Sequence, residues 1–198
     1  MRLRPLLLLA MAPGVLHAQS APPPLSFLGI AAGAPLDSIA GRVSALGGKS
    51  LRCQRSKAAR EVQECRGTLF VPESGRPLAI WLSAIDSSAG IMTLSGAVSG
   101  IELDSLRSQL QRSYGVVDAS VQGAQWMMQW VRQGRMLRFT WRMEKGEKIL
   151  SVSLVDGRVL DDWGRRQELR PRPVKPGKSR PAPADTTAPA LVEPASPG

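Results

Sequence analysis

Residues 124–143 read AQWMMQWVRQGRMLRFTWRM, and their alternation decides the fold. Gln133-Gly134 suits the two-residue turn that joins right-twisted antiparallel strands. Folding about it puts Trp130 opposite Leu137, Met128 opposite Phe139 and Trp126 opposite Trp141, all on one side. Gln125 with Arg142, Met127 with Thr140, Gln129 with Arg138 and Val131 with Met136 fall on the other. A slip of one residue would mix the two sets, so the separation fixes the register. After a connection at 144–147, a third strand brings Leu150 to Trp141, Val152 to Phe139 and Leu154 to Leu137. The Trp and Met side is therefore expected to be a core beneath a helix; the alternative is an aromatic ligand site.

The helix is written just upstream, and twice more in the chain. GIELDSL at 100–106 matches GAPLDSI at 33–39 and GRVLDDW at 157–163. Aligning 29–39 with 96–106 gives five identities in eleven without a gap. Apolar residues follow at Leu36, Ile39, Val43 and Leu46, and again at Leu103, Leu106, Leu110 and Tyr114, which is helical spacing with one apolar stripe. Pro35 suits a first helical position, and Asp37, Glu102 and Asp104 put negative charge where the helix dipole favours it. Gly47-Gly48 and Gly115 end the two helices. These aspartates therefore read as helix starts rather than catalytic groups.

The strands of the first copy follow the same plan more loosely. Residues 76–82 echo 135–141, and 90–98 echo 148–156, so Leu78, Ile80, Leu82, Met92 and Leu94 form its core side and Trp81 the other. Cys53 and Cys65 fit opposite each other across a hairpin that turns at 57–60. The expected fold is α+β: two tandem repeats, 29–99 and 100–163, each with one helix packed on a three- or four-stranded antiparallel sheet. A short closing helix at 157–163 is expected to pack Leu160 and Trp163 back on the second repeat.

The ends read differently. Residues 1–18 have a basic start (Arg2, Arg4), an apolar run broken by Pro13-Gly14, and a small residue, Ala18, which together predict a secretory signal cleaved near Ala18. No cysteine lies near that point, so no lipid anchor is expected, and no later apolar run is long enough to span a bilayer. The mature chain is expected to be soluble, in the periplasm or outside the cell. Residues 19–28 are expected to be a linker, and 164–198, rich in Pro and Arg, a disordered tail.

Export bears on the chemistry. The two cysteines of the chain, Cys53 and Cys65, are expected to be joined in a disulfide, which leaves no thiol for catalysis. The single histidine, His17, departs with the signal, and with it Ser-His and Cys-His pairs and most zinc sites. What remains is thin: Asp161-Asp162, Ser56 beside Lys57, and Glu61 with Glu64. None has a second supporting group. No catalytic, metal-binding or cofactor-binding residue is expected. The formal net charge is +10, shared between the tail and the globular part without a nucleic-acid motif, so nucleic acid is not an expected partner.

A helix entered through Gly33 and Ile39 and closed by Leu46-Gly47, followed by antiparallel strands carrying Cys53 and Cys65, resembles the small unit of the SmpA/OmlA-type outer-membrane assembly lipoproteins. Doubled in one exported chain, it is more similar to the tandem beta-lactamase inhibitor protein fold. That resemblance, over 29–163, implies a concave sheet surface that grips a protein partner without catalysis. Two departures stand beside it: there is no lipid-acceptor cysteine, and one disulfide where the inhibitor has one per unit.

The expected function is therefore a non-enzymatic exported protein that binds a protein partner, in the envelope or outside the cell, through the side of the sheet that no helix covers. Its residues would be Trp81, Gln125, Met127, Gln129, Met136, Arg138 and Arg142, with Val131 and Thr140 beside them. Adaptable methionines next to guanidinium donors are an interface composition; the alternative is an ordinary solvated sheet side. A second functional reading is attachment to an anionic polymer or membrane surface through Arg132, Arg135, Arg138, Arg142 and the tail.

Overall fold

The structure, a computed structural model, describes residues 23–170. The expected signal at 1–18 and the tail beyond residue 170 lie outside the described residues. The chain opens with a small hairpin, β1 (Ser26–Phe27) and β2 (Ile30–Ala31). Helix α1 (Leu36–Ala45) is followed by β3 (Arg52–Arg55), β4 (Val62–Phe70), β5 (Pro77–Ile85) and β6 (Ser88–Val98). Helix α2 (Gly100–Tyr114) is followed by β7 (Ser120–Gln122), β8 (Gln125–Arg132), β9 (Arg135–Glu144) and β10 (Glu147–Asp156), and α3 (Gly157–Glu168) closes the described chain.

The strands after the two helices form one antiparallel eight-stranded sheet in the order β3-β4-β5-β6-β10-β9-β8-β7. The two halves are joined edge to edge, β6 pairing with β10 from Val98↔Lys148 to Ile91↔Val155. The β8–β9 register runs as the sequence predicts, with Trp130↔Leu137 and Met128↔Phe139. Four hairpins turn on pairs with positive φ, Leu28-Gly29, Asp86-Ser87, Gln133-Gly134 and Lys145-Gly146, the geometry that matches strand twist.

One face of the sheet is dry. Leu78, Ile80, Leu82, Met92, Leu94, Leu137, Phe139, Leu150, Val152 and Leu154 are all buried, in one cluster with Ile39 and Val43 of α1 and Leu103, Leu106 and Leu110 of α2. The halves thus share a core and are not separate units. Helix α2 is held at its start by a capping box, in which Ser99 Oγ accepts from Glu102 N while the Glu102 carboxylate accepts from Ser99 N, an arrangement that satisfies two orphan donors at once. Pro35 stands at the N-cap of α1, one place before the helical position the sequence suggests.

Three expectations need correction here. The segment expected as a linker at 19–28 includes Leu25 and Phe27, both buried in the core, and β1. It is fastened by Tyr114, whose hydroxyl accepts from Ser26 N at 2.9 Å and lies 3.0 Å from Ser26 O. Second, helix α3 runs to Glu168, so the tail does not begin at 164. Third, α3 packs across the first half and on the opposite face from α1 and α2. Ile85, paired with Ser88 on that opposite face, is buried, and a Cβ at Gly90 would stand 2.9 Å from Leu160 Cδ2 and 3.5 Å from Ile85 Cδ1. A side chain at position 90 would press on the end of Leu160, a contact that glycine avoids.

Candidate functional site: the open sheet face

Because side chains alternate along a strand and paired residues share a side, the ladder assigns the face away from the core row by row. One row crosses seven strands: Arg52, Arg66, Trp81, Thr93, Ser153, Arg138, Gln129. A second holds Met127, Thr140, Ser151, Ser95, Ala79 and Thr68, and a third Val131, Met136, Val155, Ile91 and Ser83. Gln125 and Arg142 continue into Ile149 and Ala97. The expected residues Trp81, Gln125, Met127, Gln129, Met136, Arg138 and Arg142 therefore lie on one surface, which no helix covers except where α3 crosses its end.

The centre of that surface is polar, because in its two middle rows β6 and β10 contribute only serine and threonine; Thr93 Oγ1 and Ser153 Oγ are 3.3 Å apart. On one flank Trp81 is half-buried beside exposed Arg66. On the other Arg138 is exposed, its Nε donating to Gln129 Oε1 at 3.1 Å. Arg142 donates to Glu144 at 2.7 Å. Arg52, Arg66 and Arg138 make no ion pair among the described residues. Surface depressions of about 270 and 370 Å³ lie along β3, and Arg52 and Arg66 line both.

Sequence reasoning missed Arg52, Arg66, Thr93 and Ser153. The signal for the arginines was present: once Cys53 faces Cys65, Arg52 must face Arg66 on the other side. Thr93 and Ser153 become central only through the β6–β10 pairing, for which the sequence has no local mark.

The aromatic core side also differs from expectation at one corner. Phe139 is fully buried, but Trp126 is 48% exposed and stacks on half-buried Trp141, centroids 6.2 Å apart and planes 8° apart. Helix α2 starts beside β10, with Gly100 near Lys148, and ends beside β8, where Trp130 Nε1 donates to Gly115 O at 2.8 Å. That diagonal leaves the outer corner of β8 and β9 bare.

The residues weighed for catalysis have other occupations. Ser56 Oγ accepts from Ala58 N. Asp161 and Asp162 are exposed on the second turn of α3, whose N-cap is Asp156 instead. Glu61 anchors α3, accepting from Trp163 Nε1 at 3.1 Å and from Gln167, with Arg170 paired to it. Glu61's own backbone N–H, then Trp163, Gln167 and Arg170, hold its carboxyl down to about 2 from 4.5, against the opposing effect of burial. A depressed carboxyl stabilises the fold fully above its unfolded pKa and loses that contribution as pH falls through the folded one. Acid titration from about 4.5 to about 2 is therefore expected to release α3. Trp163 fluorescence, with Trp163→Phe as reference, should show a transition in that window that Glu61→Gln removes.

Among the described residues there is no group of three or more His, Cys, Asp or Glu side chains placed to hold a metal ion, and no helix is long and apolar enough to cross a membrane. Comparison with protein-family models, with curated proteins and with solved structures finds no match to this chain.

Proposed function

We propose that this chain is an exported, non-enzymatic binding protein built as a tandem helix-and-sheet repeat, and that its partner is a protein seated on the open sheet face. Support for the repeat comes from the order helix then four strands, met twice, and from the matching Gly-x-x-Leu-Asp-Ser phrases at α1 and α2. Corresponding corners fit too: the first half ties its outer strand with Cys53–Cys65, and the second pairs Val121 with Trp126, which stacks on Trp141, at the equivalent positions. The resemblance to the tandem beta-lactamase inhibitor fold rests on the same plan. Export is supported by the leader-like residues 1–18 and by the disulfide, which oxidising compartments preserve.

The observation that carries the binding reading is the bare face itself. An antiparallel sheet normally turns one side to water, but this side sets a tryptophan, two methionines and unpaired arginines around a hydroxyl floor. Anchors of that kind concentrate binding energy at interfaces. The test is crosslinking capture from envelope extract with the mature protein, followed by titration of the captured protein in purified form. Trp81→Ala and Arg138→Glu are each expected to weaken that titration about tenfold or more. Unchanged affinity in both variants rejects the face. Binding that vanishes with moderate salt whether or not Trp81 is present would favour an anionic polymer or membrane surface instead.

A further inference from the structure

Arg52 and Arg66 are directly opposed across β3 and β4, and both are exposed. Like charges in that position destabilise a sheet, and neither arginine forms an ion pair among the described residues; Glu64, on the same face, stands one row away. Arg138 stands in the same row on β9, also without an ion pair. Between the two charged ends the row holds Trp81, Thr93 and Ser153, which carry no charge. The four interstrand steps from β4 to β9 make the ends about 19 Å apart. Locally unfavourable choices of this kind are where a fold is shaped by what it binds.

Resting on the reading of this face as a docking surface, we infer that its occupant is a polypeptide segment that crosses the strands with carboxylates at two positions about 19 Å apart, or roughly six extended residues, separated by an uncharged stretch. Each end has the planar fork that carboxylates accept bidentately. The neutral interval excludes a uniformly charged polymer as the fitting ligand, because its middle charges would lie desolvated over Thr93 and Ser153 with nothing to neutralise them. The hydroxyls instead offer donors and acceptors to a peptide backbone, and Trp81 a flat apolar contact.

The experiment uses two fluorescein-labelled peptides of the same composition. One has two glutamates at each end of a five-residue Ser/Thr/Tyr stretch, and the other has its four glutamates contiguous. The spaced peptide is expected to bind the mature protein at least tenfold tighter. That advantage should disappear in Arg66→Glu and in Arg138→Glu, yet persist in Arg107→Glu/Arg112→Glu, which changes charge on α2 instead. All altered residues are at or near the surface, and thermal melting checks that each variant is folded. Equal affinity for the two peptides, absence of binding to either, or equal loss in the α2 variant overturns the inference. If the peptides fail while Trp81→Ala still abolishes titration by the captured partner, the docking face stands and only the acidic segment is wrong.

Discussion

Asp156→Ala is expected to lower stability by about 3 kcal/mol, more than an ordinary surface change. Asp156 is 1% exposed and is the N-cap of α3. Its carboxylate accepts the capping bond from Arg158 N at 3.0 Å and three guanidinium bonds, from Arg135 Nε at 2.7 Å, Arg158 Nη2 at 3.1 Å and Arg158 Nε at 3.3 Å. Burial pushes this carboxyl up, but the hydrogen bonds and charges of Arg158 and Arg135 outweigh it and hold it below the ordinary range. The alanine variant loses three charge-assisted hydrogen bonds and a cap worth about 1 kcal/mol. Rehydration of the two arginines, 24% and 56% exposed, offsets part of the loss. Urea unfolding at neutral pH measures it; a change under about 1 kcal/mol would mean that the cluster holds nothing.

The same carboxylate explains why the phrase at 33–39 begins with glycine. Gly33 has φ +77°, and a Cβ on it would stand 2.1 Å from Asp156 Oδ2. The turn before α1 and the start of α3 therefore meet at one buried charge, a contact between distant parts of the chain that local sequence patterns do not display.

Removal of the disulfide by Cys53→Ser with Cys65→Ser is the other large expected effect, about 3 kcal/mol for a loop of this size in the chain-entropy account. The cysteines are direct cross-strand partners with Cα atoms 4.0 Å apart and a sequence separation of 12. Cys65 is fully buried and Cys53 lies on the outer strand β3, which has only four residues to pair with β4. The variant should melt at lower temperature, and amides of β3 should exchange with solvent well before those of β5. Unchanged protection of β3 would mean that backbone pairing alone holds the edge.

Periodicity carried the reading furthest where one side of an element is dry. Alternation around Gln133-Gly134 predicts every pair from Gln125↔Arg142 to Val131↔Met136, and the helical stripes of α1 and α2 meet the core at Ile39, Val43, Leu106 and Leu110. Leu25 and Phe27 escaped because two-residue strands have too few positions for a pattern. Helix α3 was cut short because none of its residues is fully buried and its polar second half resembles a solvated tail. The joining of β6 to β10 is a matter of topology: each half supplies an open edge, and the cost of leaving unpaired strand edges favours their union. With that pairing known, Trp81 and Arg138 become members of a single row. Without it they are unrelated residues in separate units.

Interstrand nuclear Overhauser contacts test the joined sheet most directly. The account predicts cross-peaks between backbone protons of Thr93 and Ser153 and of Ser95 and Ser151, alongside those of the β8–β9 hairpin. A spectrum in which each half shows its own strand contacts and none links β6 with β10 would contradict it.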